Sequence, residues 1–125
     1  MKKLTIFTLL AAMLLPGCAG SKAGYGQISQ EEAKRLMDTQ DGYVILDVRT
    51  QEEYDAGHIP GAILIPDYEI REKADKLLPR KDQLILVYCR SGRRSKNAAQ
   101  ALAELGYTNV KEFGGILTWP YETVT

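Results

Sequence analysis

The chain has 125 residues, 45% hydrophobic and 26% charged, with 16 lysines and arginines against 16 aspartates and glutamates. These are the proportions of one ordinary globular domain, and they exclude a disordered tail, a collagen-like fibre and a strongly basic nucleic-acid binder. Two cysteines and one histidine are too few for a structural zinc site or a disulfide framework, so no metal centre is expected and neither cysteine reads as a staple.

Lys2 and Lys3 precede Leu4–Leu15, an uncharged run in which only Thr5 and Thr8 are polar. A basic start followed by an apolar stretch shorter than the roughly 18 to 20 residues of a spanning helix has the form of an export signal. Leu15-Pro16-Gly17-Cys18 resembles the lipobox of bacterial lipoproteins, in which the cysteine is acylated and becomes the first mature residue. Residues 1–17 are therefore expected to be a lipoprotein-type signal peptide. The resemblance implies Cys18 as the lipidation site, and residues 18–26, rich in Gly and small side chains, are expected to form a flexible tether. This places the domain outside the cytoplasmic membrane, held by acyl chains. The alternative is simple cleavage that releases a soluble secreted or periplasmic domain.

Beyond the tether, short apolar runs alternate with capped amphipathic segments. Ser29-x-x-Glu32 and Thr50-x-x-Glu53 have capping-box spacing and should start helices. Tyr43–Val48 and Leu84–Tyr88 are nearly continuous apolar runs of the kind that form strands buried on both faces. Ala62–Ile65 is a third strand and Asn109–Phe113 a shorter fourth. Helices are expected over Asp67–Leu78, stopped by Pro79, and over Ser95–Leu105, ended by Gly106. Strands alternating with helices predict an α/β domain with a mainly parallel sheet and right-handed crossovers.

Ligands of open parallel sheets bind at the carboxyl ends of the strands, and Cys89 ends the most apolar strand. The loop Arg90-Ser91-Gly92-Arg93-Arg94 then leads into a helix near Ser95. A thiol there faces free backbone N–H groups, the positive end of a helix dipole and three arginines, which together favour the thiolate. Gly92 lets the loop curl so that its amides converge on an anion. Asp47 interrupts a buried strand and needs a partner, and Arg49, two positions on, points to the same face. The two are read as a structural network rather than as catalytic groups. His58, between Gly57 and Ile59-Pro60-Gly61, could pair with a thiol, but its place in a turn favours a packing role. Trp119 and Tyr121 read as packing of the C-terminal segment.

Ile45-Leu46-Asp47-Val48-Arg49-Thr50, Glu53-Tyr54, Gly57-His58-Ile59-Pro60-Gly61-Ala62, the loop Cys89–Ser95, and Gly114-Gly115-Ile116 with Trp119 resemble the rhodanese (thiosulfate sulfurtransferase) domain. The resemblance spans about residues 28–121 and makes residues 27–125 a rhodanese-like domain. It implies a three-layer fold with a central five-stranded sheet, the fifth strand around Tyr25–Ile28. It implies Cys89 as nucleophile, a cradle of Arg90, Ser91, Gly92, Arg93, Arg94 and Ser95, and no cofactor.

The same fold type carries phosphatases and arsenate reductases. Their loops resemble H-C-x5-R, with arginine six positions after the cysteine. Here Tyr88 precedes Cys89 and Ser95 stands in that position, which fits the smaller sulfurtransferase cradle. The arginines favour a small anionic sulfur donor such as thiosulfate. The expected chemistry is a Cys89 persulfide that delivers sulfur to cyanide in an assay and to a thiol or protein thiol in the cell. The alternative from another class is a persulfide carrier or protein-binding module without turnover.

Overall fold

The computed structural model describes residues 24–125. The expected signal peptide, Cys18 and most of the tether lie outside the described residues. Strands β1 (Gly26–Gln27), β2 (Val44–Asp47), β3 (Ile63–Leu64), β4 (Ile85–Cys89) and β5 (Val110–Gly115) form one sheet in the order β1-β5-β4-β2-β3. Every neighbouring pair is parallel. Gly26, the last residue assigned to the tether, already pairs with Lys111.

Strand β4 is central and buried along its whole length. Its side chains alternate between two cores, as a period of two requires. Ile85, Val87 and Cys89 join Leu46, Val48, Ile70, Leu78, Ala98 and Leu102 on one face. Leu86 and Tyr88 join Ala33, Ile45, Ile59, Phe113 and Trp119 on the other. Each fully buried aliphatic side chain contributes about 1.5 to 3 kcal/mol, and covering both faces leaves the carboxyl ends of the strands as the place for a site.

Helices α1 (Gln30–Thr39), α2 (Gln51–Ala56), α3 (Ile70–Leu77) and α4 (Arg93–Glu104) cover the sheet. Thr50 and Glu53 form the complete reciprocal capping box. Ser29 completes only half of one: its hydroxyl accepts from the Glu32 amide, while the Glu32 carboxylate turns to Arg35. The helix expected over Asp67–Leu78 is divided into a 3-10 turn, Asp67–Glu69, and α3. The Asp67 amide donates to the Val48 carbonyl and ties the turn to the end of β2, while the Glu69 amide closes on Pro66 three residues back, the spacing of a 3-10 turn. Helix α4 begins at Arg93, two residues before the expected Ser95. Gly92 stands at its N-cap with φ +108°, a left-handed conformation that glycine adopts without a Cβ clash.

Candidate active site

Cys89 is the last residue of β4, and α4 starts four residues later. Its thiol is only 1% exposed. The Gly92 amide donates to Sγ at 3.0 Å, and Sγ lies 3.3 Å from Ser95 Oγ. The sulfur thus sits at the head of α4 and accepts the amide of its N-cap residue, where the helix dipole and an N–H favour an anion. Among the described hydrogen bonds one loop amide, that of Gly92, reaches the sulfur, where several had been expected to converge.

Ser95 was expected as the start of the helix. It is instead a fully buried residue of the first turn. Its hydroxyl donates to Glu112 Oε2 at 2.5 Å and approaches the Gly114 carbonyl at 3.4 Å. Glu112 is 3% exposed and also accepts from the Gly114 amide at 2.9 Å. Glu112 was absent from the residues expected at the site. The available signal was a carboxylate two positions after Val110 on a buried strand, which alternation puts on the same face.

Glycine shapes the wall opposite the loop. A Cβ on Gly115 would stand 2.1 Å from the Arg90 carbonyl oxygen and 2.6 Å from Ser91 Cα. The backbones of β5 and the cysteine loop therefore touch, and the Leu117 amide donates to the Arg90 carbonyl at 3.1 Å. A register shift between β4 and β5, where Val87 pairs with Glu112 but Cys89 with Gly115, creates this approach.

The three arginines differ. Arg90 and Arg93 are exposed, as is Ser91. Arg94 is partly buried, and both its terminal nitrogens bind Glu53, at 2.9 and 3.0 Å. Its guanidinium is not the free charge that the loop sequence suggested. Its bond to Glu53 chiefly, and more weakly its nearness to Cys89, raise its already high pKa. The sequence spacing marked Glu53 as a helix cap but carried no sign of this second partner.

Asp47 and Arg49 form the expected buried pair, with Arg49 Nη2 2.7 Å from Asp47 Oδ2. Arg49 also donates to the Gly57 carbonyl at 2.6 Å. The Tyr88 hydroxyl donates to Asp47 Oδ2 at 2.5 Å and accepts from the Ile59 amide at 3.0 Å. Burial first, and the Asp47 bond second, push the Tyr88 hydroxyl far above the ordinary tyrosine range, so it stays a donor. This network clamps the Gly57–Ile59 turn to the sheet, and Tyr88 places it on the face away from the thiol. His58 stacks on Tyr54 with ring centroids 3.8 Å apart. Its Nδ1 is 2.9 Å from the Tyr54 carbonyl, and its backbone bridges to Val124. Trp119 is buried beside Phe113, and the exposed Tyr121 packs edge-on against it.

A five-stranded parallel sheet with a cysteine held at the head of a helix by a left-handed glycine defines a cysteine-centred α/β domain of the rhodanese type. The family model for the rhodanese-like domain matches residues 29–120, and the chain belongs to that family. It is 42% identical over 71 residues to the thiosulfate sulfurtransferase PspE of Escherichia coli K12, covering 57% of this chain and 68% of that protein. It is 39% identical over 84 residues to the putative sulfur carrier protein YrkF of Bacillus subtilis, covering 67% of this chain and 44% of that protein. Among solved structures it is similar to a rhodanese with anions from E. coli, with TM-score 0.63 and 37% identity over 66% of this chain and 98% of that one.

Proposed function

We propose that the protein is a sulfurtransferase that accepts the sulfane sulfur of thiosulfate, or of a similar anionic donor, on Cys89 and passes it to a thiophilic acceptor. The observation that carries this reading is the Cys89 sulfur itself, buried and receiving the Gly92 amide at 3.0 Å at the head of the twelve-residue α4. Such an environment stabilises a sulfur anion.

The Cys89 thiolate attacks the outer sulfur of thiosulfate. A Cys89 S–S bond forms, the S–S bond of the donor breaks, and its electron pair leaves with sulfite. The persulfide anion so formed carries the charge that the thiolate had, now on the outer sulfur at the head of α4. Exposed Arg90 and Arg93 draw the anionic donor to the rim, and Arg94 is held in place by Glu53. Cyanide in an assay, or a thiol or protein thiol in the cell, then takes the outer sulfur and restores the thiolate.

A second reading, a persulfide carrier that loads once and waits for one acceptor, is favoured by the likeness to YrkF, a putative sulfur carrier. Intact-mass measurement separates the two and tests both. With thiosulfate the purified chain is expected to gain one sulfur, roughly 32 Da, and to lose it on adding cyanide. Repeated turnover with cyanide supports the enzyme, a single round supports the carrier, and no gain in mass at Cys89 overturns both. We further propose, from Lys2, Lys3, Leu4–Leu15 and Cys18, that the protein is exported and held at a bacterial membrane through a lipidated Cys18.

A further inference from the structure

We propose that Glu112, acting through Ser95, takes up the proton of the Cys89 thiol. A serine hydroxyl has one proton to give. Ser95 gives it to Glu112 Oε2 at 2.5 Å, so only a lone pair faces Cys89 Sγ, 3.3 Å away. In this arrangement the sulfur donates and is a thiol. Attack on a sulfur donor needs the thiolate, and the bonds on the page supply a closed route to it. The Cys89 S–H bond breaks as Ser95 Oγ gains that proton, while the Ser95 O–H bond breaks as Glu112 Oε2 gains the other. The negative charge moves from carboxylate to sulfur, and no proton leaves the site. Afterwards the Ser95 hydroxyl points at the thiolate and joins the Gly92 amide in stabilising it.

Burial makes this more than a structural tether. A carboxylate that is 3% exposed is costly to keep charged. Its nearest cation, Lys96 Nζ on α4, stands 3.9 Å from Oε1 and also donates to the Gly92 carbonyl. Cys89 of β4 is a further titratable group on that side, reached through Ser95. Strand β1 brings Gln27 into register and α1 brings Gln30, both uncharged, and Lys111 is the next residue on β5. With a single ion pair at the edge of contact and Ser95 Oγ at 2.5 Å, Glu112 Oε2 is placed to accept the proton as the sulfur becomes charged. Glu112 touches neither the sulfur nor a donor, so it is a positioning residue. The inference rests on Cys89 being the nucleophile.

The pH profile of Cys89 alkylation by iodoacetamide tests it, read on the full chain by mass of the Cys89 peptide so that Cys18 does not interfere. Glu112→Gln keeps an oxygen facing Ser95 and the Gly114 amide but cannot take the proton. Ser95→Ala breaks the route and leaves the Glu112 charge in place. Each variant is expected to lower the alkylation rate at pH 6 by about tenfold or more and to move the profile to higher pH, and the double variant to be no slower than the slower single one. Loss of a neighbouring negative charge alone has the opposite sign. A Glu112→Gln profile that is unchanged or moves to lower pH overturns the proposal, as do additive losses in the double variant. If circular dichroism shows that Glu112→Gln does not fold, Ser95→Ala decides in the same way. Alkylation reports the thiolate whether or not sulfur is transferred, so failure of the sulfurtransferase reading in the mass assay remains a separate result.

Discussion

Arg94 grips both oxygens of Glu53, at 2.9 and 3.0 Å, from the first turn of α4. The same carboxylate accepts from the Thr50 amide and hydroxyl and so closes the N-terminus of α2. One side chain therefore joins a helix cap to the loop that carries Cys89. The two residues are 41 positions apart, and their meeting orders Arg94 beside the sulfur without leaving its charge free.

This pair makes part of the stability dependent on acid. The Arg94 bond, ahead of the Thr50 contacts, holds the Glu53 carboxyl at about 2, below its usual 4.5. A depressed carboxyl contributes stability that is complete above the unfolded value and is lost as the pH falls from about 4.5 towards 2. Both side chains are partly exposed, Arg94 at 30% and Glu53 at 27%, and screening limits the contribution to about 1 kcal/mol. Urea unfolding at pH 5 and pH 2.5 is expected to show a larger acid loss in the wild type than in Glu53→Gln. Equal losses would show that the pair adds nothing.

Cys89→Ser is expected to abolish both the thiosulfate-dependent mass gain and turnover, because a hydroxyl lacks the soft anion that sulfur transfer requires. A folded variant that keeps a tenth of wild-type activity would remove Cys89 from the mechanism.

Among the described glycines, Gly115→Ala should be the most damaging change. Its Cβ meets backbone atoms of Arg90 and Ser91 that cannot rotate away, so the cysteine loop must move. We expect a loss of more than about 2 kcal/mol in chemical unfolding together with at least tenfold slower sulfur transfer. Gly61→Ala is the control: its φ of +84° strains an alanine by about 1 kcal/mol, but nothing lies within 4 Å of the new Cβ. Activity retained in Gly115→Ala would mean that the loop tolerates displacement.

Exposed charges act at long range and are screened by salt. Arg90→Gln with Arg93→Gln is expected to raise the apparent KM for thiosulfate about threefold and to flatten its dependence on ionic strength. Arg94→Gln should instead lower the melting temperature, since it leaves Glu53 without its partner. Identical salt dependence in wild type and the Arg90/Arg93 variant would reduce those two arginines to solvating groups.

Expressed in a bacterial host, the full chain is expected to fractionate with membranes and partition into detergent, and Cys18→Ala to lose that partition. Unprocessed wild-type protein recovered from the cytosol, still carrying Met1–Gly17, would overturn export and anchoring while leaving the chemistry of Cys89 untouched.

Several of these features can be read along the chain because local sterics and burial set them. Val44–Asp47 and Ile85–Cys89 are strands because nearly continuous apolar runs need cover on both faces. Thr50 and Glu53 cap a helix because their spacing lets two side chains satisfy two orphan amides. Cys89 stands out because an apolar strand ends on it and a glycine-centred loop follows. Even here α4 begins at Arg93 rather than near Ser95: Gly92 marks where the loop curls, but that its left-handed turn also serves as the helix cap has no sequence signal.

The partners of those residues were decided only by the tertiary structure. Alternation puts Val110 and Glu112 on one face of a strand, but it is the order β5-β4 and its register shift that set Glu112 under Ser95 and Gly115 against Arg90. Arg94 reads as a free cation until α2 is brought across the sheet to present Glu53. Tyr88 reads as one more apolar strand residue until β2 lies beside β4 and Asp47 receives its hydroxyl. Periodicity along the chain fixes which face a side chain takes, because the backbone repeat is local. Which charge or hydroxyl meets it there depends on strand order and register, which arise from burial of the whole sheet at once and have no local signature.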